Sequence, residues 1–310
     1  MIDSFLTVAQ QVLMLFILVA VGFLLGKIKL LDDRSSLGMS NLMLYVVTPC
    51  MVVSSFQREL DPNHLHNFVV MMIISLILHV AMMLLARVSM ARLDDDRRGA
   101  MSLCVVLANC GFMAFPLQSA LFGPIGIFYG SAYVVIFNIV TWTYGVYIAS
   151  GGDKTKLQAK KLLLNPTIIA VVLALTLYLT EISLPDILLT PINYLAGLNT
   201  PVPMIIIGYH LSQADLLAAV KGRGTLVGIL LRLVISPLLA IGLCLATGLD
   251  SMASTVLVIS AATPAAAVVT MLISKFGKNA PLSSSLVSVH TLCSAVTIPI
   301  MVALTQLLIK

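Results

Sequence analysis

Ten stretches of roughly 20 mostly apolar residues divide this chain, and a run of that length is what a helix needs to cross a bilayer core. They lie at about 5–26, 37–56, 66–88, 98–121, 125–149, 163–181, 187–212, 223–247, 251–274 and 281–308. With 59% apolar and 10% charged residues among 310, the chain has more apolar surface than a water-soluble domain could bury. It reads as an all-α polytopic membrane protein. The first run lacks a basic start and is longer than a leader's apolar region, so it reads as a span.

Charge tests the count independently. Lys27, Lys29, Arg34, Arg87, Arg92, Arg97, Arg98, Lys154, Lys156, Lys160, Lys161, Lys221, Arg223, Lys275 and Lys278 fall in odd-numbered loops, whereas Arg58 alone falls in an even-numbered one. Because cytoplasmic loops hold the excess of Lys and Arg, the odd loops are expected on the cytoplasmic side and both termini outside. The net charge of +5 is scattered over short loops rather than gathered on one face. That distribution speaks against nucleic acid.

The chain also repeats itself. Asn41-LMLYVV-Thr48-Pro49 and Asn193-YLAGLN-Thr200-Pro201 share the pattern Asn-x6-Thr-Pro within apolar stretches, near the same place in each half. Five spans per half is an odd number, so the second half must enter from the opposite side, giving a 5+5 inverted repeat as in many secondary transporters. Residues 1–149 read as the first five-helix repeat, 150–162 as a cytoplasmic hinge with Gly151, Gly152 and four lysines, and 163–310 as the second repeat.

Spans 4 and 9 each carry a proline near mid-membrane, Pro116 and Pro264. Proline removes a backbone donor and clashes with the preceding turn, so each helix is expected to kink or unwind at that residue. Thr263-Pro264 also reads as a helix start, with a Thr cap and Pro at the first helical position. A half-helix beginning there would aim amide groups at the midplane, a seat for an anion.

At this point the chain resembles the auxin efflux carrier family. The resemblance rests on Asn109-Cys-Gly111-Phe112-Met113-Ala-Phe-Pro116, Leu121-Phe-Gly123, the Tyr133…Asn138…Trp142 stretch and the paired Asn/Pro spans. It implies ten helices in a sodium/proton-antiporter-like elevator fold. Helices 1, 2, 6 and 7 would form a scaffold, 3–5 with 8–10 a transport domain, and helices 4 and 9 would cross as broken helices. The implied ligand is a small organic anion. Ala114 departs from the pattern, where glycine is expected, and the short hinge marks the compact prokaryotic type.

Candidate substrate-binding residues follow from both readings: Asn109, Met113 and Pro116 around the first break, Thr263, Pro264 and Ala265 around the second. Asn109 could hydrogen-bond a carboxylate or merely knit helices. Asn41 and Tyr45 share a helix face and either line the pathway or join span 2 to span 7; Tyr133 and Asn138 of span 5 are further candidates. Among His79, His210 and His290, His290 is the candidate for proton coupling. Arg232, the one cation well inside a span, either snorkels or pairs, or neutralises the anion. The Gly22-x3-Gly26 and Gly126-x3-Gly130 pairs read as helix-packing motifs.

None of the 13 acidic residues falls in the middle of a span. Buried carboxylates serve many proton relays, so this pattern speaks against carboxylate-based cation exchange and suits an anionic substrate. The sequence holds no zinc-protease motif and no acid pair within a span, which speaks against an enzyme. The expectation is a carrier of a small organic anion in the inner membrane, with a solute sensor or a uniporter or channel as alternatives. No cofactor or metal is expected. The expected partners are the substrate, the lipid bilayer and a second copy joined through the scaffold, and no nucleic acid.

Overall fold

A computed structural model describes residues 2–156, 164–222 and 224–309. In chain order the helices are α1 (Ile2–Lys27), α2 (Asp33–Ser55), α3 (Pro62–Ser89), α4 (Asp95–Val106), α5 (Cys110–Phe122), α6 (Pro124–Ala149) and α7 (Pro166–Leu179). There follow α8 (Asp186–Ala196), α9 (Pro201–Gln213), α10 (Leu216–Lys221), α11 (Thr225–Thr247), α12 (Ser251–Ala262), α13 (Val268–Lys275) and α14 (Ala280–Leu308). Among the described residues there is no strand; one isolated antiparallel bridge joins Ala108 and Ala265.

Among the described residues, six helices are long and apolar enough to cross a membrane: Leu6–Lys27 of α1, then α2, α3, α6, α11 and α14. They coincide with expected spans 1, 2, 3, 5, 8 and 10. Shorter helices occupy the other four. Span 6 is α7 alone, span 7 is α8 and α9 joined by a short 3-10 turn at Gly197–Asn199, and spans 4 and 9 are each split in two. Exposed Leu13, Ile17 and Leu24 on α1, and Val296 and Ile300 on α14, give these helices apolar outer faces that lipid can cover.

The acids sit where helices begin. Asp32, Asp61, Asp94, Asp215 and Asp250 each accept a hydrogen bond from a backbone amide in the first turn they precede. A carboxylate there satisfies an orphan donor and faces the positive helix end. The expected hinge begins as a turn, with Gly151 and Gly152 at φ of +78° and +96°. A 3-10 turn follows at Lys154–Lys156; residues 157–162, including Lys160 and Lys161, lie outside the described residues, as does Arg223.

Three prolines inside spans are absorbed rather than left to break the helix. Widened π turns at Met43–Val47, Cys110–Ala114 and Leu231–Ile235 stand just before Pro49, Pro116 and Pro237. A wider turn removes the clash of the ring with the preceding carbonyl while the remaining carbonyls stay bonded. The second Asn-x6-Thr-Pro copy is accommodated differently, by the 3-10 turn before Pro201. The two copies lie near each other, since Ser54 of α2 donates to Asn193 Oδ1 of α8 at 2.5 Å.

The glycine pairs act within the molecule. A Cβ on Gly22 would overlap the backbone of Ile205, and one on Gly208 the backbone of Val19, so α1 and α9 touch main chain to main chain. Gly126 packs in the same way on the backbone of Gln118 in α5.

Candidate functional site

The two interrupted spans meet at their interruptions. After Val106 the chain turns extended at Leu107 (φ −93°, ψ 105°), and after Ala262 it does so at Thr263 (φ −66°, ψ 150°). The extended segments lie antiparallel. The Asn109 amide donates to the Pro264 carbonyl at 2.8 Å, and the Ala266 amide to the Leu107 carbonyl at 2.9 Å. Backbone groups released by unwinding cannot be left unpaired in a membrane; here each break satisfies the other.

This geometry corrects two expectations. The first break is at residues 107–109 rather than at Pro116, which is buried within α5 just past its π turn. Asn109 marks the break instead: it stands at the N-cap of α5, where Asn is favoured over helix interiors. The second correction concerns Thr263-Pro264. Thr263 ends α12, its hydroxyl donating to the Ser260 carbonyl at 2.8 Å, and the next helix starts only at Val268. Proline pushes the residue before it out of the α region, and pairing with Leu107–Asn109 keeps the chain extended through Ala265.

A small pocket of about 40 Å³ opens beside this junction. Asn109, Ile207, His210, Leu211, Ala267, Thr270, Ser284, Val287, Ser288 and Thr291 line it. These come from the first break, α9, the start of α13 and one face of α14. The Asn109 side chain makes no cap hydrogen bond. The Ala267 position that opens α13 has no side-chain cap either, and the Val269 and Thr270 amides of its first turn donate to the carbonyls of Ala266 and Ala267. No carboxylate lines the pocket. Its titratable lining residue is His210, whose Nε2 stands 3.4 Å from Ser36 Oγ.

Of the candidates read from the sequence, only Asn109 lines this pocket. Met113 is buried behind it, its sulfur 3.8 Å from Ser294 Oγ. Pro264 and Ala265 supply backbone to the paired breaks. Asn41 and Tyr45 are exposed on α2, away from the pocket. Asn138 is tied up with the Val134 carbonyl at 2.9 Å and with Asn165 at 3.0 Å.

Tyr133 is buried and lies 5.0 Å, ring to ring, from His79. His290 is fully buried, its Nδ1 2.7 Å from the Leu286 carbonyl and its Nε2 without a partner. Arg232 does not snorkel. It is 1% exposed and hydrogen-bonded to carbonyls at the ends of α4 and α12.

Sequence reasoning missed Thr270 and the stripe Ser284, Ser288 and Thr291. A signal was present, because these last three recur at i, i+4 and i+7 and therefore share one face of α14. Single hydroxyls in apolar helices bond their own backbone so often that a stripe stands out only with its spacing counted. Thr291 itself does so, donating to the Val287 carbonyl at 2.9 Å.

Comparison with known proteins places this geometry in context. The profile of a family described as membrane transport protein matches residues 7–302. An uncharacterized transporter of Methanothermobacter thermautotrophicus is 25% identical over 304 residues, covering 96% of this chain and 98% of that protein. The uncharacterized transporter MJ1031 of Methanocaldococcus jannaschii is 24% identical over 266 residues, covering 82% and 85%.

Proposed function

The chain belongs to the membrane transport protein family, that of the auxin efflux carriers, and on that footing we propose that it is a secondary active carrier of a small organic anion, a carboxylate or auxin-like acid. The observation that carries this reading is the side chain of Asn109, a residue that lines the pocket beside the start of α13 and makes no cap hydrogen bond. A side-chain amide and hydroxyls together offer hydrogen bonds to a carboxylate, and no acid in the lining repels it. In this reading the ten expected spans form the 5+5 inverted repeat, spans 4 and 9 cross at the paired breaks, and spans 3–5 with 8–10 move as an elevator against spans 1, 2, 6 and 7.

The pocket adjoins the end of α9 and the start of α14, the side on which Lys221, Lys275 and Lys278 cluster. By the positive-inside rule that side is cytoplasmic, so this conformation is read as inward-facing in a cell inner membrane. Met113, Pro116, Thr263, Pro264 and Ala265 shape the junction from behind rather than touching substrate. A homodimer through the scaffold belongs to the same reading.

Uptake into proteoliposomes tests it, with a panel of monocarboxylates, dicarboxylates and indole acids, each with and without proton or sodium gradients. Saturable uptake of one acid is expected. Flux that never saturates would point to a channel. Ligand-raised melting temperature without flux would point to a sensor.

A further inference from the structure

Arg232 is the largest side chain buried almost completely in this molecule, and it has no carboxylate partner. Its Nη1 donates to the carbonyls of Val105 and Val106, each at 3.3 Å. Its Nη2 donates to Ser236 Oγ at 3.0 Å and to the Ala261 carbonyl. Ser236 Oγ also donates to that carbonyl at 3.2 Å, closing the ring of contacts. Neither ion pair found among the described residues involves Arg232.

Val105 and Val106 end α4, and Ala261 lies in the last turn of α12. The last carbonyls of a helix lack intrahelical partners and carry its negative end, roughly half an elementary charge. Two such ends converge where the spans break, and one guanidinium bridges both. The π turn at Leu231–Ile235, set before Pro237, holds the residue that reaches them. Where broken helices meet in secondary carriers, half-helix carboxyl ends and freed carbonyls are the groups that coordinate a coupling cation. Here a protein cation already holds such carbonyls.

We propose that Arg232 is a resident counter-cation, a guanidinium in the place an alkali ion would take between the ends of α4 and α12, so that the paired breaks hold together without sodium. It acts as a positioning residue, fixing the segments that carry Asn109 and Pro264 without touching the pocket. This inference needs no substrate and stands apart from the organic-anion reading.

The test uses the purified full-length protein in detergent. Thermal unfolding is compared in NaCl, LiCl, KCl and choline chloride at equal ionic strength, with the cation itself as the probe. Wild type is expected to melt at one temperature in all four. Arg232→Ala is expected to melt lower in choline by about 5 °C or more, and to regain part of that loss with sodium, lithium or millimolar guanidinium. Arg232→Lys should fall between the two and stay indifferent to the alkali ion.

An Arg232→Ala protein as stable as wild type in choline would overturn the proposal. So would one whose loss no small cation restores. Should Arg232→Ala yield no folded protein in any salt, wild type and Arg232→Lys decide: sodium-specific stabilisation of either contradicts a site already filled, and flat behaviour of both is the expected result.

Discussion

The paired breaks have two sides with opposite chemistry. On one side Arg232 is 1% exposed and its Nη1 and Nη2 atoms are bonded to the ends of α4 and α12. On the other, Asn109 lines a pocket and its side-chain amide makes no cap hydrogen bond. Unwinding a membrane helix always frees both carbonyls and amides. Here the backbone amides of Asn109 and Ala266 are taken up by the opposite break, Arg232 covers carbonyls at the helix ends, and the Asn109 side chain is left to the pocket.

The largest expected effect breaks the closed side. Arg232→Ala should cost about 3–5 kcal/mol, the range for uncoupling a buried charge network, read as a drop in melting temperature. Asn109→Ala should change stability by under about 0.5 kcal/mol, because its side chain bonds nothing. Equal losses in the two variants would erase the distinction.

Next comes the backbone between them. Pro264→Ala lets Thr263 return to the α region and should slow uptake about tenfold or more while folded yield falls much less. Wild-type rates in that variant would remove the junction from the transport path. On the open side, Ser288→Ala should weaken binding of a transported acid about three- to tenfold, one hydrogen bond's worth, as measured by thermal shift against acid concentration.

The smallest effect lies away from both sides, at the start of α2. The Ser35 hydroxyl and amide hold the Asp32 carboxyl below its ordinary 3.8. A depressed carboxyl stabilises above the unfolded value and loses that contribution as pH falls through the folded one. Amide exchange at the start of α2 should therefore quicken only below about pH 4, and Ser35→Ala should weaken that dependence.

Much of the fold was legible because a bilayer permits few solutions. Apolar length located the six long helices. The position of the first break was not legible from proline alone. Pro116 looks like a breaker in isolation, yet a π turn absorbs it, and the true interruption depends on pairing with residues 263–266 far along the chain. For the same reason the sequence left Arg232 open between snorkelling, pairing and neutralising an anion. Its partners are carbonyls of two other helices, and carbonyls leave no trace in a sequence.

The pocket was the least legible part. Asn109 was found from its motif, but Ser284, Ser288 and Thr291 needed their helical spacing, and His210 needed the packing of α9 against the junction. His290, favoured for proton coupling, lies buried off the pocket, whereas His210 lines it. Burial alone separated them.

The most direct measurement is uptake of the best acid in the panel by Asn109→Ala and wild type, reconstituted side by side at equal folded yield. The account predicts an unchanged melting temperature and uptake reduced at least about tenfold, since the amide lost is one that only substrate uses. Wild-type uptake by Asn109→Ala would contradict it and move the binding site away from the paired breaks.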